Sequence, residues 1–217
     1  MTVFSREPNK QADGTPRIDI SKPGPELETL LTTKFGASRA QEIVARLGPG
    51  PTSGVNSSLA LYVRSGMKAD EFGQIVDALT TKTGDYVPGL INVNTASAAV
   101  LACVPGIGTD KAATLVSARR NRTTQDSNIA WVVDVIGTSL GASTAIQAGP
   151  YLTGQSWQAG ADVAAVGRHG RGYRRTKFVI DTSTGAPRII YRRNLAPLGW
   201  ALGSEVRQTL AQQKGTR

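Results

Sequence analysis

The sequence is poor in the residues that build most catalytic and metal centres. It has one cysteine, Cys103, and one histidine among 217 residues. A single cysteine excludes an internal disulfide and a zinc site with several cysteine ligands. A single histidine leaves little for a hydrolytic triad or a histidine-rich metal site. Because Cys103 lies within the apolar run 100–104 and has no basic neighbour there, we expect a buried and unreactive thiol.

Long apolar runs and reaction motifs are also missing. No window approaches the roughly 18–20 consecutive apolar residues that span a bilayer, and residues 1–6 do not resemble a secretory signal peptide. The sequence contains no paired carboxylates, phosphate-binding glycine loop or nucleophile elbow. We therefore expect a chain that is soluble as it stands and is not an enzyme.

Net charge is absent from the first three quarters of the chain. Residues 1–165 hold 14 Lys/Arg and 14 Asp/Glu, whereas residues 166–217 hold 11 Lys/Arg against Asp181 and Glu205. The whole excess of +9 therefore belongs to the last quarter. Any electrostatic role of the protein must use that segment.

What the chain does contain is an internal repeat with an offset of 73 residues. Residues 17–21 resemble residues 90–94, and the two copies extend over 17–47 and 90–122. Each copy predicts a short extended segment, a polar cap, a short helix, a tight turn and a second helix. Helices this short are not stable alone, so we expect each pair to pack as a hairpin.

The second copy has the pattern of a helix-hairpin-helix unit. Asn94 or Thr95 is expected to cap its first helix by accepting a hydrogen bond from an exposed amide. Pro105 and the glycines after it then end that helix, because proline disfavours helical geometry before it and glycine allows positive φ. The amides of such a turn can contact a phosphate or a partner. The predicted contact residues are Pro105, Gly106, Ile107, Gly108, Thr109 and Lys111, with Arg119 assisting.

After about residue 150 the pattern changes from helices to strands. Residues 156–166 predict an extended segment, and the β-rich runs 177–181 and 188–192 flank a turn-rich stretch, which predicts a hairpin. We therefore predict an α+β fold, with tandem helix-hairpin-helix units beside a small antiparallel sheet. Further helices are predicted at residues 59–63 and 72–79, and a weak one at 205–213. The apolar run 130–136 fits either a helix or a strand, and we favour a helix.

Arginines cluster around this predicted sheet. A basic tract with Tyr173 among its arginines is typical of a surface for nucleic acid or anionic lipid. A solvated loop, or an arm that pairs with acidic neighbours in an assembly, is the simpler alternative and the one we favour. The predicted basic patch consists of Arg168, Arg171, Arg174, Arg175, Arg192 and Arg193.

Three segments, in this order, resemble the general secretion pathway protein K family of type II secretion systems. The shared motif in residues 92–96 also occurs in competence DNA receptors, so the order of all three segments is what favours the secretion family. The resemblance covers nearly the whole chain. The segments are residues 2–9 with 13–20, residues 89–96 followed by 104–108, and residues 151–156 through 188–193 to 198–200.

The resemblance implies a minor pseudopilin that caps the tip of the secretion pseudopilus together with two other minor pseudopilins. It implies a helical domain, residues 17–149, inserted beside a pilin-like sheet at residues 150–203. Residues 1–16 would be an extended segment that joins the sheet, and residues 204–217 a C-terminal tail. Family members face the periplasm and are anchored in the inner membrane by an N-terminal helix behind a leader, neither of which is present in this sequence. Some bind calcium, but no residue match assigns ligands here, and no other cofactor is expected.

The alternative is a helix-hairpin-helix DNA-binding protein that resembles a competence DNA receptor, with Gly106, Gly108 and the basic clusters on phosphates. Phosphate binding gains most of its free energy from cationic neutralisation. Residues 1–165, which carry both hairpins, have no net charge, so we expect nucleic-acid binding to be the weaker hypothesis. A third possibility, a protein bound to an anionic membrane surface, would use only the C-terminal arginines.

Overall fold

The computed structural model describes residues 4–22, 24–48, 55–122, 126–136, 143–167, 172–201 and 203–212. The chain forms two compact units, residues 1–156 and residues 157–217. Both helices and strands are present, in agreement with the predicted α+β class. The assignment of both repeat copies as helix-hairpin-helix motifs, and the limits of an inserted domain, stay predictions.

Short helices dominate the first unit. Gly36, at φ 82°, separates the first two of them, and Gly66, at φ 63°, ends the third. Because a residue with a Cβ is strained at such φ, glycine allows these tight turns. The helices are α1 Pro25–Phe35, α2 Ala37–Leu47, α3 Ser58–Ser65, α4 Ala69–Ile75, α5 Ala98–Ala102, α6 Gly108–Ala118, α7 Trp131–Ile136 and α8 Ser143–Ala148.

The strands of the first unit are very short and pair two by two. The first strand pairs antiparallel with the fourth. The second and third strands form a parallel pair, and so do the fifth and sixth. Parallel pairs require a long crossover between their strands, and here helices supply it. The strands are β1 Arg6–Pro8, β2 Ile18–Asp19, β3 Leu79–Thr80, β4 Tyr86–Pro88, β5 Ile91–Asn92 and β6 Leu152–Thr153.

The order of these elements repeats. The first copy runs β2, α1, α2, α3, α4, β3, and the second runs β5, α5, α6, α7, α8, β6. Both strands of the second copy lie 73 positions after their counterparts, and each copy is closed by its own parallel pair. The repeat that the sequence indicates over two hairpins therefore extends through residues 18–80 and 91–153.

Each copy also has its own hydrophobic core. Ile20 and Val93, which are equivalent by the offset of the repeat, are both fully buried in the cores of their own copies. The core of the first copy includes Leu31 and Ile43, and that of the second includes Leu101 and Leu115. Helices of five to eleven residues are held by this packing, since their own propensity is insufficient.

The second unit is a three-stranded antiparallel sheet followed by a helix. Its strands are β7 Gln158–Val166, β8 Tyr173–Asp181 and β9 Arg188–Asn194, in the order β7-β8-β9, and the helix is α9 Gly203–Gln212. β7 and β8 pair continuously from Gln158 opposite Asp181 to Val166 opposite Tyr173. The register between β8 and β9 shifts once, between Val179 and Ile180.

Several predicted elements are confirmed. The predicted helices at 59–63 and 130–136 correspond to α3 and α7, and the predicted extended segment and hairpin correspond to β7, β8 and β9. The helix predicted at 72–79 ends earlier, because Leu79 belongs to β3. None of the helices in the described parts of the chain combines the length and apolar character needed to cross a bilayer.

Two expectations are wrong. The N-terminal segment 1–16 was expected to join the C-terminal sheet, but β1 pairs instead with β4 in the first unit. Cys103 was expected to be buried, but it is exposed, and its thiol donates to the carbonyl of Ala99 at 3.3 Å. Leu101 and Val104 are buried, whereas Cys103, which directly follows α5, is exposed.

Candidate functional site

The turn between α5 and α6 is the candidate site with the clearest sequence pattern. Gly106 and Gly108 have φ of 84° and 67°, which glycine adopts without strain. Pro105, Gly108 and Thr109 are exposed on this turn. Ile107 is 3% exposed and belongs to the core of the second copy, so its predicted contact with a partner or phosphate is wrong.

The inner side of this turn packs against α8. A Cβ built on Gly106 would lie 2.9 Å from Oε1 of Gln147 and 3.2 Å from the carbonyl oxygen of Thr144. Lys111 donates from Nζ to the carbonyl of Gly106 at 3.1 Å and to Oγ1 of Thr144 at 3.3 Å. The lysine therefore joins the turn to α8.

Arg119, the second cation expected to assist the turn, is also bonded within the chain. Its Nη1 donates to the carbonyl of Val93 at 2.8 Å, and burial lowers the pKa of its guanidinium. The guanidinium of Arg122 lies 5.0 Å from the centre of the Trp131 ring, within cation–π range. Arg120, two residues after the end of α6, is exposed, as is Arg122.

The cap of α5 is a different residue from the predicted ones. α5 begins at Ala98, and Oγ of Ser97 accepts a hydrogen bond from the amide of Val100 at 3.4 Å. Asn94 and Thr95 precede this position, so they are not the cap. Asn94 is 7% exposed and donates from Nδ2 to the carbonyls of Gly154 at 3.0 Å and Asp126 at 3.3 Å. It joins segments far apart in the sequence.

The structure brings together a polar network that the sequence did not indicate. Arg17 donates to Glu7 at 2.9 Å and to Asp77 at 3.2 Å, and Glu7 accepts a second hydrogen bond from the hydroxyl of Thr153 at 2.7 Å. Glu7 is 9% exposed. These residues line a cleft in the first unit, and Lys82 lines it as well. The contacts span up to 146 positions, which explains why no local pattern predicts them.

The predicted basic patch is divided between the two faces of the sheet. Neighbouring residues along a strand point to opposite faces, so Arg174 and Arg175 are on opposite sides. By the register of β8 and β9, Arg192 shares the face of Phe178, and its guanidinium is 5.8 Å from that ring. Arg193 lies opposite Lys177 on the other face. Arg168 and Arg171 lie outside the described residues.

One arginine of the patch is paired. Arg175 donates to both carboxylate oxygens of Asp162, at 2.9 and 2.6 Å. This hydrogen bonding raises the pKa of Arg175 and lowers that of Asp162. Arg193, beside the exposed Lys177, remains a local excess of positive charge.

The described parts of the chain give no basis for assigning a metal centre. Within the described residues, no group of three or more His, Cys, Asp or Glu side chains has the arrangement needed to hold a metal ion. Asp181, at the end of β8, accepts hydrogen bonds from the side chain of Gln158 at 2.8 Å and the amide of Ser183 at 2.9 Å. Its surroundings are those of a turn-forming residue.

The family model for type II secretion system protein K matches residues 91–131. The matched segment begins at β5, contains α5 and α6, and ends at the first residue of α7. It is less than a fifth of the chain. No curated protein and no solved structure matches the chain. The family match confirms the resemblance to protein K drawn from the sequence and supports a role in type II secretion.

Proposed function

We propose that this chain, whose second hairpin matches type II secretion system protein K, is a minor pseudopilin. In this role it caps the tip of the pseudopilus and assembles with other minor pseudopilins during protein export. The family match to residues 91–131 carries the proposal. The proposed location is the periplasmic side of the bacterial inner membrane, with anchoring through a membrane helix as in the family.

The internal bonding of the hairpin supports a structural role for it. Lys111 and Arg119 both donate to backbone carbonyls of the chain. A cation that neutralises a DNA phosphate must be free to approach it. The second hairpin therefore supports a packed scaffold better than a phosphate-binding turn.

The distribution of charge supports partner contacts through the second unit. Residues 157–217 contain 11 Lys/Arg and three acidic residues, whereas residues 1–156 contain 14 Lys/Arg and 13 acidic residues. A charged surface speeds and orients association with a partner of opposite charge. We therefore infer that the partners present acidic surfaces to the sheet.

Binding to the periplasmic domains of the other minor pseudopilins from the same secretion system tests this proposal. Isothermal titration should show a complex of defined stoichiometry that weakens as salt is raised. The double variant Arg192→Glu, Arg193→Glu should weaken binding about tenfold or more, because it reverses charge on the sheet. Lys34→Glu, an exposed change on α1, is the control and should bind as the unchanged chain does. Absence of any complex would contradict the proposal.

Titration with labelled duplex DNA distinguishes the DNA-binding alternative. A phosphate-binding protein loses much of its affinity when the salt concentration is raised from about 50 to about 200 mM. For this chain we expect no micromolar binding at either concentration. Gly106→Glu is a poor test variant, since its side chain would meet Gln147 and Thr144. Arg120→Glu changes an exposed cation of the hairpin instead. Micromolar, salt-sensitive binding that Arg120→Glu abolishes would favour the alternative.

A further inference from the structure

One face of the C-terminal sheet carries Phe178 at its centre. Alternate residues of a strand share a face, and residues that pair across two strands lie on the same face. The register therefore defines the membership of this Phe178 face. It consists of Ala159, Ala161, Val163 and Ala165 of β7, Arg174, Thr176, Phe178 and Ile180 of β8, and Ile189, Arg192 and Asn194 of β9.

The apolar side chains of the Phe178 face are open to water. Val163 and Ile189, on the two outer strands, are 49% and 62% exposed, and Phe178, on the central strand, is half-buried. On the opposite face, by contrast, Val179 of the central strand is only 4% exposed. An exposed apolar surface to which several strands contribute is typical of an interaction site.

The charged residues of the Phe178 face are both arginines. All of its positions lie in the described parts of the chain, and none is Asp or Glu. Arg174 and Arg192 are exposed, and the guanidinium of Arg192 lies 5.8 Å from the centre of the Phe178 ring. On the opposite face, Arg175 is paired with Asp162. The Phe178 face is therefore apolar and basic at the same time.

The rest of the second unit adds to this positive charge. Residues 157–217 contain 11 Lys/Arg and three carboxylates, a difference of +8. Two of these carboxylates are engaged within the unit, because Asp162 pairs with Arg175 and the buried Asp181 accepts hydrogen bonds. An extended anionic surface therefore attracts the unit as a whole.

Exposed aliphatic side chains among arginines fit the surface of an anionic lipid bilayer. Apolar side chains of interfacial proteins enter the boundary between head groups and acyl chains. Arginine places its apolar stem along that boundary and its guanidinium at the phosphates. A nucleic acid offers phosphates but no apolar layer for Val163 and Ile189. An acidic protein surface would need a carboxylate placed at each arginine, whereas lipid head groups adjust to the positions of the arginines.

We propose that the Phe178 face binds the surface of an anionic lipid bilayer. Val163 and Ile189 enter the interface, and Arg174 and Arg192 contact lipid phosphates. The inference goes beyond the proposed function, which concerns protein partners, and does not depend on it.

Co-sedimentation of the full chain with lipid vesicles tests the proposal. One set of vesicles contains about 30% phosphatidylglycerol in phosphatidylcholine, which gives a negative surface potential, and the other contains phosphatidylcholine alone. Binding should be about tenfold or more stronger on the anionic vesicles and should weaken as salt is raised. Absence of binding to the anionic vesicles, or equal binding to both sets, would overturn the proposal.

Two double variants with the same loss of charge test the choice of face. Arg174→Gln with Arg192→Gln removes both cations of the Phe178 face, and Lys177→Gln with Arg193→Gln removes two exposed cations of the opposite face. The first pair should weaken binding to the anionic vesicles about tenfold or more, and the second less than about threefold. Equal losses would contradict contact through the Phe178 face.

An environment-sensitive fluorophore measures entry into the interface. Cys103, the one cysteine of the chain, is changed by Cys103→Ser, and the fluorophore is attached at Ile189→Cys or, on the opposite face, at Lys177→Cys. On anionic vesicles its emission should rise about threefold or more at position 189 and less than about 1.5-fold at position 177. Equal rises at the two positions would contradict the proposed orientation.

These experiments are separable from the test of the proposed function. Failure to bind vesicles, with retained binding of the minor pseudopilins, would exclude the lipid surface and leave the family role intact. Vesicle binding without binding of the pseudopilins would keep the lipid surface and remove the proposed protein partners.

Discussion

Hydrogen bonds from individual polar side chains connect separate segments of the second repeat copy. Asn94 bonds to two carbonyls from segments 32 and 60 positions away, while Lys111 joins the hairpin turn to α8. Buried amide and ammonium groups are costly to leave unpaired, so such bonds also restrict the packing that the copy can adopt. At this scale the residues with the most conspicuous sequence pattern are structural.

Alanine substitution of Asn94, a predicted cap of α5, and of Ser97, the observed cap, tests which role each residue has. Asn94→Ala should lower the free energy of unfolding by about 2 kcal/mol, because the hydrogen bonds from the buried Asn94 amide to two carbonyls are lost. Ser97→Ala should cost about 0.5–1 kcal/mol, since the cap bond is long and exposed. Urea unfolding monitored by circular dichroism measures both. A larger loss for Ser97→Ala would contradict this assignment.

The ion pair between α2 and α4 gives a pH-dependent prediction. Arg39 donates to both carboxylate oxygens of Glu71, at 2.9 and 2.8 Å, and this bonding lowers the pKa of Glu71 to about 2. A pKa below the ordinary value of 4.5 means that the pair contributes stability above that pH and loses it as pH falls through about 2. Glu71→Gln should therefore lower the Tm at neutral pH, and the difference should vanish towards pH 2.

Thermal unfolding at several pH values measures this difference. Glu28→Gln, at an exposed position of α1, is the matched control and should show little pH-dependent change. An undiminished gap between Glu71→Gln and the unchanged chain at pH 2 would be inconsistent with the ion pair as its cause.

The strand β6, which ends the second copy, is followed by a tightly packed glycine. Gly154 directly follows β6, and a Cβ built on it would lie 1.7 Å from the carbonyl oxygen of Asp126 and 3.0 Å from the side chain of Ile129. A backbone carbonyl cannot relieve such a clash by changing rotamer, as a side chain can. The parallel pair of β5 and β6 therefore depends on glycine at this position.

Alanine at Gly154 should destabilise the first unit strongly. The clash requires a backbone shift, for which we expect a loss of about 3 kcal/mol or more in the free energy of unfolding. Gly24→Ala is the control in the same unit, because a Cβ there meets nothing within 4 Å, and its loss should stay below about 1 kcal/mol. Similar losses for the two variants in urea unfolding would show that the close approach does not matter.

Local patterns in the sequence predict some elements of the fold well and others not at all. The hairpin of β8 and β9 follows from β-branched runs around a turn, and α3 from a short apolar pattern. β3 and β6, at two residues each, have no local pattern, because they are defined by pairing with strands more than 60 positions away. The full length of the repeat was missed for the same reason.

Local sequence patterns also predict only part of the candidate site. The glycine turn at 105–108 is a local feature and was predicted. The bonds of Lys111 to α8 and of Arg119 to the carbonyl of Val93, directly after β5, depend on tertiary packing. Exposure of Cys103 also depends on tertiary packing, since its neighbours in sequence are apolar. A pattern of residue types indicates which groups are available, but only the packing decides whether they bond inward or face a partner.

At the scale of the whole molecule, the chain contains a duplicated helical unit with little net charge and a strongly basic unit built on a sheet. The resemblance to protein K supports a role in type II secretion, and the proposed role as a tip pseudopilin assigns both units to assembly. In that proposal, partners of opposite charge would contact the basic second unit.

Deletion of the gene in its source cell tests the central claim most directly. The amounts of a type II secretion substrate in the medium and in the periplasm are measured with and without the complementing gene, together with uptake of labelled DNA. A minor pseudopilin predicts that the substrate accumulates in the periplasm, that the gene restores export, and that DNA uptake is unchanged. Normal export combined with a loss of DNA uptake would contradict the account and favour the DNA-binding alternative.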